Sequence, residues 1–185
     1  MPGLNLSTEL LGKSDLIEAW RHAFGHAICQ LEIEPLADRP FRSRAQLRLL
    51  PGLGMVSGSC TGARYLRRPA QAESDDLIFV LNLLGTDLAH ARGREVMLGP
   101  GDAVLMRAGE IGGVSNRADA AFATFRLPAS SIVPMVKSVD DLILRRIPAE
   151  TEALSLCATT RARSMRSARL PLPRCNARRR ATSMT

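Results

Sequence analysis

The sequence predicts a mainly β protein of the jelly-roll barrel class, opened by one helix and closed by short helices. Three observations carry this expectation. Nine short segments between Leu31 and Leu127 alternate or cluster apolar residues. The gaps hold Pro51-Gly52, Gly85-Thr86, Arg92-Gly93, Gly99-Pro100-Gly101 and Gly112-Gly113, all turn formers. The stretch Asp76 to Met106 reads strand, turn, strand, tight turn at Gly93, strand, corner, strand, the meander a small jelly roll needs to close its sheets.

In chain order, residues 1–13 read as a flexible N-terminus. Ser14 then caps a helix, with Glu18 near its first turn. Leu16, Ile17, Trp20, Phe24 and Ala27 or Ile28 recur at helical spacing, carrying it to about Cys29. The strand candidates are Leu31–Leu36, Arg44–Leu50, Gly54–Cys60, Ala63–Arg67, Leu77–Leu84, Asp87–Ala91, Glu95–Leu98, Asp102–Arg107 and Ala121–Leu127. Pro128 and Pro148 stand at helix-start positions before Ala129–Val136 and Ala149–Leu156.

The 185 residues suffice for one domain with a real core. With 45% hydrophobic but only 4% aromatic residues, that core is built from aliphatic side chains. No run of ~18 apolar residues offers a membrane span, and no secretory signal precedes Lys13. Cys29, Cys60, Cys157 and Cys175 lack CxxC spacing, which suits reduced thiols and a cytoplasmic location. The net charge of +7 is unevenly placed. Cys157 to Thr185 holds eight Arg, no Lys and no acid, while the rest carries 17 basic and 18 acidic residues, or −1.

The Asp76–Met106 stretch resembles the cupin-like N-terminal domain of AraC-type transcription regulators. There a strand ends in Gly, a hairpin carries Gly between charges, and a Leu-x-Pro-Gly-Asp-like corner leads into an apolar strand. Trp20 in the opening helix, Pro40-Phe41 before the first long strand, and Phe125-Arg126-Leu127-Pro128 at the end of the barrel agree in order and spacing. The resemblance covers roughly Leu10 to Leu156, and the domain itself is expected over residues 14–156. It implies a sensor or dimerisation domain that acts on DNA only through a helix-turn-helix part, expected to need ~100 further residues and missing from this sequence.

After Leu156 the sequence loses helical periodicity. We read residues 157–185 as the family's next helix translated out of frame, the domain being truncated there. Losing one C from CTC CTG leaves CTC TGC, the codons of Leu156 and Cys157. The rival reading is a true Arg-rich arm, with Arg178-Arg179-Arg180 for phosphates. It has no aromatic residue for base stacking.

The chemistry-bearing residues do not assemble into a catalytic pattern. A metal-holding barrel needs several His and a carboxylate, and this chain has His22, His26 and His90. His90 has no partner His, and Asp87 and Glu95 beside it read as solvated hairpin charges. His22 and His26 share a helix face without the acid that a zinc hydrolase would need, and read as an exposed or interfacial pair. Cys60 reads as a small core residue. No enzyme and no cofactor are therefore expected.

The resemblance implies a small-molecule effector in the barrel and pairing into a homodimer through the helices after Pro128. Ile78, Val80, Val104, Met106, Phe122 and Phe125 are the candidate pocket residues, their competing role being plain core. Two other classes stay open. A metal-dependent cupin enzyme would carry a stoichiometric metal, and a standalone binding or oligomerisation module would form a stable dimer without the tail.

Overall fold

The computed structural model describes residues 4–8, 13–36, 40–68 and 74–154. The tail, with the frame-error and Arg-arm readings, lies outside the described residues. Strand β1 (Leu4–Ser7) is followed by helix α1 (Lys13–Ala27), β2 (Glu32–Pro35), β3 (Ser43–Leu50), β4 (Leu53–Cys60) and β5 (Ala63–Arg67). Then come β6 (Leu77–Leu84), β7 (Asp87–Ala91), β8 (Arg94–Leu98), β9 (Ala103–Arg107), β10 (Gly112–Asn116) and β11 (Ala120–Leu127). A short helix α2 (Ala129–Ile132), a 3-10 turn (Val133–Met135) and the two-residue strand β12 (Arg146–Ile147) complete the order. Residues Glu152–Leu154 are helical.

Two sheets face each other as a jelly roll. One runs β1-β3-β4-β11-β6-β9-β12, the other β2-β5-β10-β7-β8, and every paired strand is antiparallel. The main core lies between them. It takes Val56, Ile78, Val80, Val104, Met106 and Phe122 from the larger sheet, with Ile33, Ala63, Ala89 and Ala91 from the smaller. Helix α1 buries Trp20, Phe24 and Ala27 into this core, with Ile28 just past its end, the stripe that the periodicity predicts. It sits hard on β4, where a Cβ on Gly54 would lie 1.8 Å from the carbonyl oxygen of Ala27.

Three expectations need correction. Residues 4–7, read as flexible, form a strand whose partners run from Leu47 to Arg44. Gly112-Gly113, read as a turn, opens β10 in the middle of the smaller sheet, between β5 and β7. Glycine serves close approach there, since a Cβ on Gly113 would come within 2.1 Å of the Tyr65 carbonyl oxygen. The predicted helix over Ala129–Val136 is one short α-turn running into the 3-10 segment, whose Pro134 has no N–H to extend an α-ladder.

A second apolar cluster lies on the outer face of the larger sheet. Leu81, Ala103 and Ala123 are buried there by Leu154, with Phe79, Phe125 and Ile147 packed alongside. The strap that brings Leu154 to this face, residues 138–149, is fastened at several points. Arg92 and Arg107 both reach the Asp140 carboxylate, at 3.0 and 3.3 Å. Arg94 donates to the Ile143 carbonyl at 3.1 Å, and Leu144 N–H to the Leu105 carbonyl at 2.9 Å. Asp102 then accepts Gly99 N–H at 2.8 Å and Ala149 N–H at 3.1 Å, and pairs with Arg146 at 2.8 Å. Burial pushes the Asp102 carboxyl up, but these donors outweigh it and hold it below the ordinary value.

Candidate functional site

The inner face of the smaller sheet is laid out in three register rows. Ala63 pairs with Asn116 and Asn116 with Asp87; Tyr65 with Val114 and Val114 with Ala89; Arg67 with Gly112 and Gly112 with Ala91. Because side chains alternate across a strand, these residues share one face. That face therefore carries Arg67 at one end, an Asp87–Asn116 pair at the other, and Tyr65 with Val114 between them. Two register steps of two residues each separate the ends, about 13 Å along the strands.

A cavity of about 40 Å³ lies between this face and the larger sheet. It is large enough for about three waters, at roughly 10–15 Å³ each on this measure. Tyr65, Arg67, Asp87, Val114 and Asn116 line it from the smaller sheet, and Ile78, Val80, Phe122 and Thr124 from the larger. Phe24, Cys29 and Leu31 close it from the end of α1 and the segment beyond. An aromatic chain crosses the space, with ring centroids 5.9 Å apart from Trp20 to Phe24, 6.4 Å from Phe24 to Tyr65 and 6.1 Å from Tyr65 to Phe122.

Of the six pocket residues expected from sequence, Ile78, Val80 and Phe122 line this cavity. Val104 and Met106 pair with Val80 and Ile78 across β6 and β9, fully buried in the core beside the cavity rather than at its surface. Phe125 must be reassigned. It stands three positions after Phe122, an odd step, so the alternation of β11 turns it to the outer face, where it meets Phe79 at 6.1 Å between centroids.

Sequence reasoning missed the polar residues of the site. Arg67 is only 5% exposed; its Nε donates to the Glu110 carbonyl at 3.0 Å, and its Nη2 has no partner among the described residues. Asp87, expected to be solvated, is 2% exposed with an unpartnered Oδ1, and burial pushes its carboxyl up to about 7. Asn116 Oδ1 accepts the Ala63 N–H at 2.9 Å. Burial also pushes the Cys29 thiol up, an effect that the neighbouring Arg67 charge partly offsets. The missed signal was period two: Ala63, Tyr65 and Arg67 must share a face, as must Asp87, Ala89 and Ala91.

The remaining candidates fall elsewhere. His22 and His26 are exposed on α1, and His90 is half-buried on the face of β7 opposite Asp87 and Ala89. Cys60 is buried, and burial pushes its thiol up to about 11. Among the described residues no three His, Cys, Asp or Glu side chains gather to hold a metal. No described helix is long and apolar enough to cross a membrane.

Comparison with known proteins gives a family-level result. The family model described as an AraC-binding-like domain matches residues 20–180. The crystal structure of the AraC-like transcriptional activator CuxR superposes with a TM-score of 0.71 at 14% identity. The match covers 90% of this chain and 60% of that one. A cupin superfamily protein from Desulfitobacterium hafniense matches at 15% identity and a TM-score of 0.41, over 50% of this chain and 82% of its own. The EutQ protein of Clostridium difficile gives 16% and 0.39, over 50% and 72%. No curated protein matches the sequence significantly.

Proposed function

This chain belongs to the AraC-binding-like domain family, and on that premise we propose that its barrel binds one small effector between the two sheets and passes the occupancy to strap 138–149. The observation that carries the reading is the cavity itself, walled by both sheets and α1 yet lined by two buried polar atoms, Arg67 Nη2 and Asp87 Oδ1, that have no partner among the described residues. A barrel core has no packing reason to keep an arginine and an aspartate inside, since each desolvated charge costs stability unless something pairs with it. A ligand supplies that reason.

The role we infer is regulatory and not catalytic. Its support is that no His lines the cavity and that the lining thiol, Cys29, is held protonated by burial. Among the described residues there is no helix-turn-helix, so DNA would be read by another part of a cytoplasmic regulator. The exposed Val133 and Met135 after α2 suit pairing with a second copy, and sedimentation of Val133→Glu/Met135→Glu against the unaltered chain tests that pairing.

The effector reading is tested by thermal unfolding across a panel of small metabolites, using the unaltered chain and Val114→Phe, which fills the cavity. A ligand at a hundredfold over its Kd stabilises the fold by about 2.7 kcal/mol. We expect at least one compound to do this for the unaltered chain and not for the variant. No responder, or equal responses from both, overturns the reading.

A further inference from the structure

We propose that the cavity takes a short-chain monocarboxylate, its carboxylate on Arg67 and its alkyl body against Ile78, Val80 and Phe122. The proposal rests on the effector reading above and assigns the ligand's chemical class. Four observations lead to it.

Arg67 lines the cavity, is 5% exposed and spends Nε on a main-chain carbonyl, leaving Nη2 without a partner. No ion pair to Arg67 exists among the described residues, although its neighbour Arg68 is paired with both Glu32 and Glu34 on the outside of the same sheet. A guanidinium cannot lose its charge in a protein, so the desolvated cation stays in search of an anion.

The two acidic groups of the cavity do not provide that anion. Asp87 stands two register rows away, beside Asn116, and its burial keeps it largely protonated below about pH 7. Cys29 lies closer, but its thiol is pushed up by burial and stays neutral. The interior therefore carries an unbalanced positive charge at its Arg67 end. A carboxylate matches the planar fork of the guanidinium and takes charge-assisted hydrogen bonds from it.

Size and polarity set the rest of the ligand. The volume of about 40 Å³ admits about three waters, a space that suits an acid of very few carbons and excludes nucleotides and sugars. Ile78, Val80 and Phe122 opposite Arg67's sheet offer a dry wall for an alkyl body. At the far end, Asp87 and Asn116 present hydrogen-bonding groups that favour a hydroxyl on the chain.

The test is calorimetric titration of the full chain with butyrate, 3-hydroxybutyrate and the neutral isostere butyramide, near pH 6, where Asp87 stays mostly protonated and the added acids are ionised. We expect both acids to bind at least tenfold tighter than butyramide, 3-hydroxybutyrate the tighter of the two. Binding of the acids should be lost in Arg67→Gln and in Val114→Phe. The acid–amide comparison uses the unaltered protein, so it decides the matter even if Arg67→Gln fails to fold. Equal binding of acid and amide, or acid binding that survives Arg67→Gln, overturns the proposal. If neutral metabolites bind and are blocked by Val114→Phe while the acids do not bind, the monocarboxylate class falls and the effector site stands. If nothing binds, both fall together.

Discussion

Arg67 Nε donates to the carbonyl oxygen of Glu110 across 3.0 Å, and through that residue the inside of the barrel touches its outside. The Glu110 carboxylate is bound by Arg92 and stands 3.6 Å from Arg107, and both arginines also reach Asp140 on the strap. On the proposed effector reading, a movement of Arg67 toward a ligand would pull on the residue that organises the strap's anchors.

Glu110→Gln keeps the main-chain carbonyl for Arg67 but removes the charge that gathers the two arginines. We expect amide hydrogen exchange over residues 138–145 to accelerate several-fold, while exchange in β6 and β9 stays as in the unaltered protein. Raising the salt concentration should move the unaltered protein in the same direction, because these side chains are partly exposed. Unchanged protection of the strap would count against the anchor.

Asp87 gives the fold a pH dependence of defined sign. Burial moves its carboxyl from 3.8 up to about 7, so the folded chain keeps a proton that the unfolded chain has already released. Below about pH 4 both states are protonated and nothing is lost. As the pH rises from there to about 7 the fold is progressively destabilised, by on the order of 4 kcal/mol if the whole shift is expressed. Asp87→Asn removes this loss. Urea unfolding should give similar stabilities for the two proteins near pH 4 and a more stable variant at pH 8, and a gap that does not widen between those pH values would refute the account.

Gly54 lies beneath the last turn of α1, and any Cβ there would collide with the Ala27 main chain. Backbone cannot step aside as a flexible side chain can, so Gly54→Ala should cost about 2 kcal/mol or more. Trp20, the chain's one tryptophan, is 1% exposed on the same helix. Its emission should shift to the red in the variant as α1 lifts, with melting lowered by about 4–8 °C. Native emission with native melting would mean that the helix is not pressed on β4.

The strands were legible because their turns are chemically marked. Leu77–Leu84 and Asp87–Ala91 are bounded by Gly and polar residues, and both form strands over those residues. β10 was hidden because its glycines, which permit close approach to β5, look like turn formers when read alone. β1 was hidden for another reason: four residues carry too little periodicity, and what orders them is a partner some 40 residues later. In the site, the aliphatic wall could be read from composition, and even the misplacement of Phe125 was avoidable by counting two-residue steps from Phe122. Arg67 and Asp87 were not found because a charge at the end of a short strand ordinarily faces water. Only the layering of one sheet on the other encloses them.

The two-residue strand β12 has a consequence for the molecule's behaviour in a crowded solution. β9 is apolar and pairs with β6 on one side; on the other, among the described residues, only Arg146–Ile147 and the Leu105–Ile143 bridge occupy its hydrogen-bonding groups. Stripped of the strap, Ala103–Arg107 would be a bare edge, open to strand addition from any other chain. The same tether that we propose senses the cavity would thus also guard against sheet-to-sheet polymerisation. Proteolytic nicking within residues 138–145 would turn a well-behaved barrel into a template for fibrillar growth.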